Sequence, residues 1–275
     1  MLYFDARDAL AFLTTAAWPA LEAIDLSYNL LECAAELGRG RWPLLTDLDL
    51  SQNLLGDATA EGLAAAHFPQ LRRLDLANNR LSARGAAALA GANFPQLRSL
   101  SLKKNGIRAE GAAALARAAW PCLEALDLHA SGQSAASMPA LAAATWGATL
   151  KTLDLSGNHV SVEGIDPAAW PALETLIINT GRLGGAGAAA LASLAWPLLR
   201  TLELQWCGLD DDGVAALAAG RWLELRSLTL SHNDELFCDG LQALAEASRW
   251  PKLESLALAG VALGSAGGRV LAAAG

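Results

Sequence analysis

Asp127, His129 and Ser156 are the residue types that nucleophilic catalysis requires. A hydroxyl nucleophile needs an imidazole base within hydrogen-bond reach, and the imidazole needs a carboxylate to hold its tautomer. On an extended strand Asp127 and His129 share a face, but their Cα atoms stand about 7 Å apart. No pattern of oxyanion donors accompanies them, so a hydrolase is not expected. Metal chemistry is equally unsupported. His67, His129, His159 and His232 lack ligand spacing, and Cys33, Cys122, Cys207 and Cys238 form no C-x-x-C pair. The run Asp210-Asp211-Asp212 stands just before Gly213 and an apolar segment, where carboxylates cap a helix rather than collect calcium. No glycine-rich phosphate loop occurs. The sequence therefore reads as non-catalytic, with no cofactor and no metal, and the chemistry to look for is recognition.

An internal repeat positions these side chains. Aromatic residues recur at Trp18, Trp42, Phe68, Phe94, Trp120, Trp146, Trp170, Trp196, Trp222 and Trp250, about 26 residues apart. Proline follows all but Trp146 and Trp222. Next comes the spacing L-x-x-L-x-L-x-x-N-x-L, clearest at Leu71, Leu74, Leu76, Asn79, Leu81 and at Leu97, Leu100, Leu102, Asn105, Ile107. The alternation L-x-L is the period of a strand with one buried face. Asn29, Asn53, Asn79, Asn105, Asn158 and Asn233 are expected to turn inward and bond backbone groups left free at the bend. An alanine-rich helix opened by glycine follows, as at Gly85, Gly111, Gly187 and Gly213. Proline after the aromatic bars helix continuation and extends the chain into the next strand.

Strands about 4.8 Å apart against helices about 8–10 Å apart bend such a stack. The expectation is a right-handed α/β horseshoe of about ten units, with parallel strands on the concave face and helices on the convex face. Residues 1–17 read as a capping helix over Asp5–Ala17, residues 18–275 as the repeat domain, and Gly268–Ala274 as a last helix without a polar cap.

Recognition would fall on the outward strand positions, five, seven and nine residues after each aromatic, with the tenth at the rim, and one residue later in the unit of Trp146. The central row reads Asp25, Asp49, Asp75, Ser101, Asp127, Asp154, Ile177, Glu203, Thr229 and Ala257. Two readings stand. The carboxylates form an acidic stripe for a basic partner, or L-D-L is ordinary repeat consensus, partly solvated and maintained by descent. After Asp154 the face changes character through Ile177, Asn179, Glu203, Gln205, Trp206 and His232. Trp206 lies off the aromatic ladder at the rim, as Tyr28 does near the start. Exposed, it is a binding anchor; packed against Thr180 or His232, it is structural. The candidate partner-binding set is Asp127, His129, Asp154, Ile177, Asn179, Glu203, Gln205, Trp206 and His232. Two breaks in the repeat, Leu128–Pro139 and Asn233–Cys238, predict a poorly anchored loop and a bulged turn.

These residues resemble the leucine-rich repeat superfamily, in its ribonuclease-inhibitor-like and cysteine-containing classes. Leu199–Leu217 resembles the cysteine-containing repeats of F-box receptors, with Cys207 in the place of the ladder asparagine, and the G-A-A-A-L-A runs are similar to those of GALA effectors. The resemblance covers residues 18–275. It implies a substrate-recognition part of a ubiquitin-ligase adaptor or an effector. The superfamily's GTPase activators and structural spacers are the alternatives, with Arg80 and Arg182 as candidate exposed arginines for the former.

The net charge of −8 opposes nucleic acid and fits a neutral or basic protein partner. Apolar residues make up 53% of the chain, yet no run reaches the ~18 that a membrane span needs. Unpaired cysteines favour a reducing, cytoplasmic compartment, and the N-terminus shows no secretory pattern. A monomer, or a weak homodimer through an uncapped end, is expected.

Overall fold

The computed structural model describes residues 6–16, 18–166, 168–246 and 250–262. The expected last helix lies outside the described residues, and the first helix, α1, spans Ala6–Thr15. The chain divides into two compact units, Met1–Gln133 with Ala143–Thr149 and Ser134–Ala142 with Leu150–Gly275. Both are α/β solenoids built from the same repeat.

The first unit carries five strands, β1 (Ala23–Asp25), β2 (Asp47–Asp49), β3 (Arg73–Asp75), β4 (Ser99–Ser101) and β5 (Ala125–Asp127). They pair in parallel and in sequence order, with Ile24, Leu48, Leu74, Leu100 and Leu126 in one register row. That row is buried, and its neighbours on each strand face outward. The helical side holds a 3-10 turn at Ala35–Arg39, then α2 (Asp57–Ala64), α3 (Ala83–Ala90) and α4 (Arg108–Leu115). The second unit repeats the plan with β6 (Thr152–Asp154), β7 (Thr175–Ile177), β8 (Thr201–Glu203), β9 (Ser227–Thr229) and β10 (Ser255–Ala257), again parallel and sequential. Its helices are α5 (Met138–Ala142), α6 (Gly184–Ala192), α7 (Asp211–Ala218) and α8 (Cys238–Glu246).

The proline after each aromatic acts differently from the sequence expectation. Instead of leading an extended segment, it sits inside a turn: Leu45 N–H donates to Trp42 O at 3.2 Å, and Leu97 to Phe94 at 3.2 Å. Proline suits the second place of such a turn because its φ is already set. The aromatics from Trp42 to Trp250 are buried, and seven of them stack. Trp42, Phe68 and Phe94 have centroids 6.1 and 6.4 Å apart, Trp170 and Trp196 lie at 6.3 Å, and Trp222 and Trp250 at 6.0 Å. Most of the indoles also donate to a carbonyl of the repeat before them, as Trp146 Nε1 does to Leu115 O at 2.9 Å and Trp170 Nε1 to Leu141 O at 3.1 Å. Trp42 and Trp120 are the exceptions: their Nε1 atoms are buried without an acceptor.

The asparagine ladder forms as the sequence leads one to expect, with one correction. Asn53 donates to Leu26 O and Leu50 O and accepts from Asn29 N–H and Leu31 N–H. Asn79, Asn105 and Asn233 do the same work in their turns. Asn29 instead is exposed and bonds Ser27 O in its own turn, since no described strand precedes β1 for its side chain to serve. In the β8 repeat Cys207 holds the position, donating to Ile178 O at 2.8 Å. Burial pushes its thiol up to about 11, against a smaller opposing effect of the Gly181 N–H, so it persists as a neutral donor.

The loop after β5 also departs from expectation. It lacks the asparagine and the leucine, yet Ser131 and Gln133 fill both places and are buried. Ser131 Oγ donates to Leu128 O at 2.6 Å and Gln133 Nε2 to Ser131 Oγ at 3.0 Å, so a polar pair anchors this turn.

Helices are capped between repeats as well as within them. Asp57, at the head of α2, accepts from Ser82 N–H at 2.8 Å and Gly85 N–H at 3.0 Å at the head of α3. Asp211 serves α8 likewise through Phe237 and Gly240 N–H, while Asp210 caps its own helix through Gly213 N–H at 2.8 Å. Asp210 and Asp211 of the run are thus spent on capping. The glycine near each helix head permits close approach: a Cβ on Gly111 would sit 3.1 Å from Ala86 Cβ and 3.2 Å from Ala83 Cα.

Two outcomes follow. Trp146→Phe loses an indole bond whereas Trp42→Phe removes an N–H that has none, so the former should cost about 1 kcal/mol more; equal shifts in the denaturation midpoint would contradict this. For Asp57, burial is the largest influence and opposes ionisation, but the Ser82 and Gly85 bonds and the charge of Arg84 together hold its carboxyl below the ordinary value. A depressed carboxylate stabilises above its unfolded pKa, and that contribution is lost as pH falls through the folded value. Asp57→Ala should cost about 1 kcal/mol at neutral pH, with the gap narrowing below about pH 4. A gap that stays constant with pH would show that charge plays no part.

Candidate functional site

The outward aspartates of the strands are engaged by the backbone. Asp49 Oδ1 accepts from Ser51 N–H at 2.9 Å, Asp75 from Ala77 at 3.0 Å, Asp127 from His129 at 2.9 Å and Asp154 from Ser156 at 2.8 Å. Each closes an Asx turn where its strand ends. Asp25 does likewise, and the Ser27 backbone bond, then the Ser27 side chain, holds its carboxyl below the usual range. The L-D-L aspartate therefore has a structural role in both units.

In three of the repeats that lack the aspartate, the preceding repeat supplies the acceptor. In the second unit Asn179 N–H is met by Ser156 Oγ at 3.1 Å, Gln205 N–H by Asn179 Oδ1 at 2.8 Å, and Ala259 N–H by Ser231 Oγ at 3.0 Å. Ile177, Glu203 and Ala257 stand in the aspartate's place in those three repeats. Asn179 Nδ2 also donates to Glu203 Oε2 at 2.9 Å. Asn179, Glu203 and Gln205 are thus tied together and held in place, while Ile177 lies half-buried at the end of β7.

The rim row shows a second regularity. The tenth residue after each aromatic, or the eleventh after Trp146, has a left-handed backbone, from Tyr28 (φ 59°) through Asn78 (54°) and Lys104 (51°) in the first unit to Thr180 (59°), Trp206 (56°) and His232 (60°) in the second. Gly157 and Gly260 hold the same place. Its N–H continues the inter-repeat ladder, as Trp206 N–H does to Ser231 O at 3.2 Å. Side chains on this row therefore lie one above another. Trp206 stacks on His232 with centroids 4.4 Å apart and planes 7° from parallel. A Cβ on Gly260 would run into the His232 ring, so that ring lies over bare backbone. Trp206 remains 52% exposed. Sequence reasoning allowed exposure or packing against His232, and the structure shows both at once. The part of Gly260 was missed, though glycine at the rim position was its signal.

The candidate residues fall into separate groups. Asn179, Glu203 and Gln205 form one network and Trp206 with His232 another, all in the second unit together with Ile177 and Asp154. Asp127 and His129 belong to the first unit. Tyr28 is exposed, and Leu30 beside it is 74% exposed. The nominal catalytic set has no free nucleophile: Ser156 is buried with its hydroxyl taken by Asn179 N–H, and Asp127 serves the His129 backbone.

Stacked strand–turn–helix units, an inward amide ladder and an outward strand face define a repeat solenoid. Four of its stretches, residues 69–90, 95–116, 148–167 and 197–218, match the family described as Leucine Rich repeat. No curated protein sequence matches the chain. Among solved structures, one described as the TLR13–ssRNA13 complex aligns at 23% identity with a TM-score of 0.59, covering 89% of this chain and 33% of that one. An internalin, InlF of Listeria monocytogenes strain 4b F2365, aligns at 16% identity with a TM-score of 0.43, over 98% of this chain and 86% of that one. A chain of the yeast Rad7 and Elc1 complex aligns at 20% identity with a TM-score of 0.44, over 74% and 60%. The chain thus spans a third of the length of the TLR13 chain, and the likeness is one of fold.

Trp206→Gly tests whether the tryptophan serves the fold. Glycine relieves a left-handed backbone that costs other residues about 1–2 kcal/mol but forfeits stacking worth about 0.5–1.5 kcal/mol. Stability should stay within about 1 kcal/mol of wild type, whereas Leu204→Ala, in the core, should lose about 2–5 kcal/mol. A comparable loss at both positions by denaturant unfolding would make Trp206 a structural residue.

Proposed function

We propose that the chain is a non-catalytic protein-interaction module that seats a partner on the strand-side face of its second unit, with Trp206 as the anchor. The observation that carries this reading is a half-exposed indole held rigid by His232 at a backbone conformation that disfavours large side chains. A tryptophan that has already lost its rotamer freedom loses little more on binding and offers a large apolar face to a partner. Around it the outward positions Thr175, Thr201 and Ser227 are uncharged and half-exposed, with Asn179 and Gln205 fixed beside the aromatic row. Asp154 and Glu203 on the same strand ends, with the net charge of −8, favour a neutral or basic partner. Within this class, the repeat at Leu199–Leu217 favours the substrate-recognition part of a ubiquitin-ligase adaptor, or an effector. The catalytic alternative is weakened by the commitment of Ser156 and Asp127 to backbone bonds.

Affinity capture with wild type, Trp206→Ala and Leu223→Ala tests the reading. Leu223 is also exposed but lies away from the rim row. A partner lost by about tenfold or more with Trp206→Ala and kept with Leu223→Ala is the expected result, with both variants folded by circular dichroism. Retention of every partner by Trp206→Ala would remove the anchor from the proposal. Nuclease treatment of the same eluates separates a protein partner from one bridged by RNA.

A further inference from the structure

In the first unit a cleft of about 550 Å³ opens between the β3 and β4 repeats, lined by Arg80, Ser82, Gly106, Arg108 and Glu110 among others. Arg80 and Arg108 are exposed, and among the described residues neither enters an ion pair. Arg84, near the head of the same α3 helix, behaves otherwise and pairs with Glu61 at 2.6 Å. Ser82 adds no free donor to the cleft, since its N–H and hydroxyl both donate to Asp57. The unspent polar capacity along the cleft is therefore two guanidiniums and one carboxylate, Glu110.

Arg108 also stands against local preference. Its backbone is left-handed (φ 57°) at the head of α4, where the helix macrodipole opposes a cation. The same position holds Gly56, Ser82 and Asp210 in other repeats, and Gly184 where the backbone is again left-handed. Glycine would relieve the strain and aspartate would cap the helix, whereas arginine does neither. A residue that breaks the local rules without local gain points to a task outside the fold.

We propose that this cleft binds a phosphorylated side chain of a partner polypeptide, with Arg80 and Arg108 on the phosphoryl oxygens. Guanidinium presents paired donors that match phosphate oxygens, and two of them match a dianion better than a single carboxylate does. The cleft is far larger than a free ion fills and has room for flanking backbone. A polyanion suits it poorly, because Asp25, Asp47, Asp49 and Asp75 line the strand face of the same unit.

The test is fluorescence anisotropy with a labelled, otherwise uncharged phosphoserine peptide, its unphosphorylated twin and a single-stranded oligonucleotide. Wild type should bind the phosphopeptide about tenfold or more tighter than the twin, and Arg80→Ala and Arg108→Asn should each lose about that factor. Arg84→Ala should change affinity by less than about twofold, which separates a specific cleft from general charge. Arg108→Asn should melt at or above the wild-type temperature, because asparagine tolerates the left-handed backbone and caps helices. Equal binding of the twin overturns the proposal, as does an equal loss in Arg84→Ala. So does an oligonucleotide that outcompetes the peptide, or inorganic phosphate that displaces it at matched concentration. Binding lost only together with folding in Arg108→Asn would also overturn it.

Discussion

The structure depends on satisfying the backbone where each strand ends. At that bend the chain leaves the sheet, and its N–H and C=O groups are buried without partners of their own. A buried donor left unpaired costs about 1–3 kcal/mol, and every repeat presents several. The amide of Asn53, Asn79, Asn105 or Asn233 answers donors of the preceding turn and carbonyls of two turns together. The strands are only three residues long, so this ladder and the leucine row must do what longer strands do elsewhere. Cys207 and Ser131 show the minimum requirement: a small buried donor at the same place is enough.

The same constraint explains the strand face. An outward carboxylate on each strand looks like a charged recognition surface, but in five repeats it closes an Asx turn. Where another residue stands in its place, as at Ile177 and Glu203, a side chain from the repeat before meets the N–H instead. In those two repeats the outward position is free of that duty. A face freed in this way can acquire residues for a partner without loss of fold, and there the strand-end side chains become diverse.

Much of the fold was legible because its determinants are periodic. The aromatic spacing and the L-x-L alternation locate β1 to β10 in the sequence. The details that escaped depend on atoms one repeat away. Nothing local to Asp57 announces that it caps α3, and nothing in Gln133 says that it will stand in for a buried leucine. The role of proline was misjudged because a turn and an extended segment both exclude a helix. For the candidate site, Trp206 was visible as the tryptophan out of phase with its fellows. The left-handed backbone beneath it was encoded only by the glycines at 157 and 260, and the exposure of Arg108 by no pattern at all.

The inter-repeat bonds have a fixed direction, and each joins neighbouring repeats. Asn53 answers Asn29 and Leu31, Asn105 answers Leu81, and Asn233 answers Cys207 and Leu209, always reaching back by one unit. A tandem duplication of one whole unit therefore recreates every bond at both junctions, because each new turn finds the acceptor it needs one period ahead. A duplication of only part of a unit leaves the donors of a turn without an amide at the seam. The hydrogen-bond geometry acts as a ruler on the gene, allowing such an array to lengthen or shorten only in whole steps.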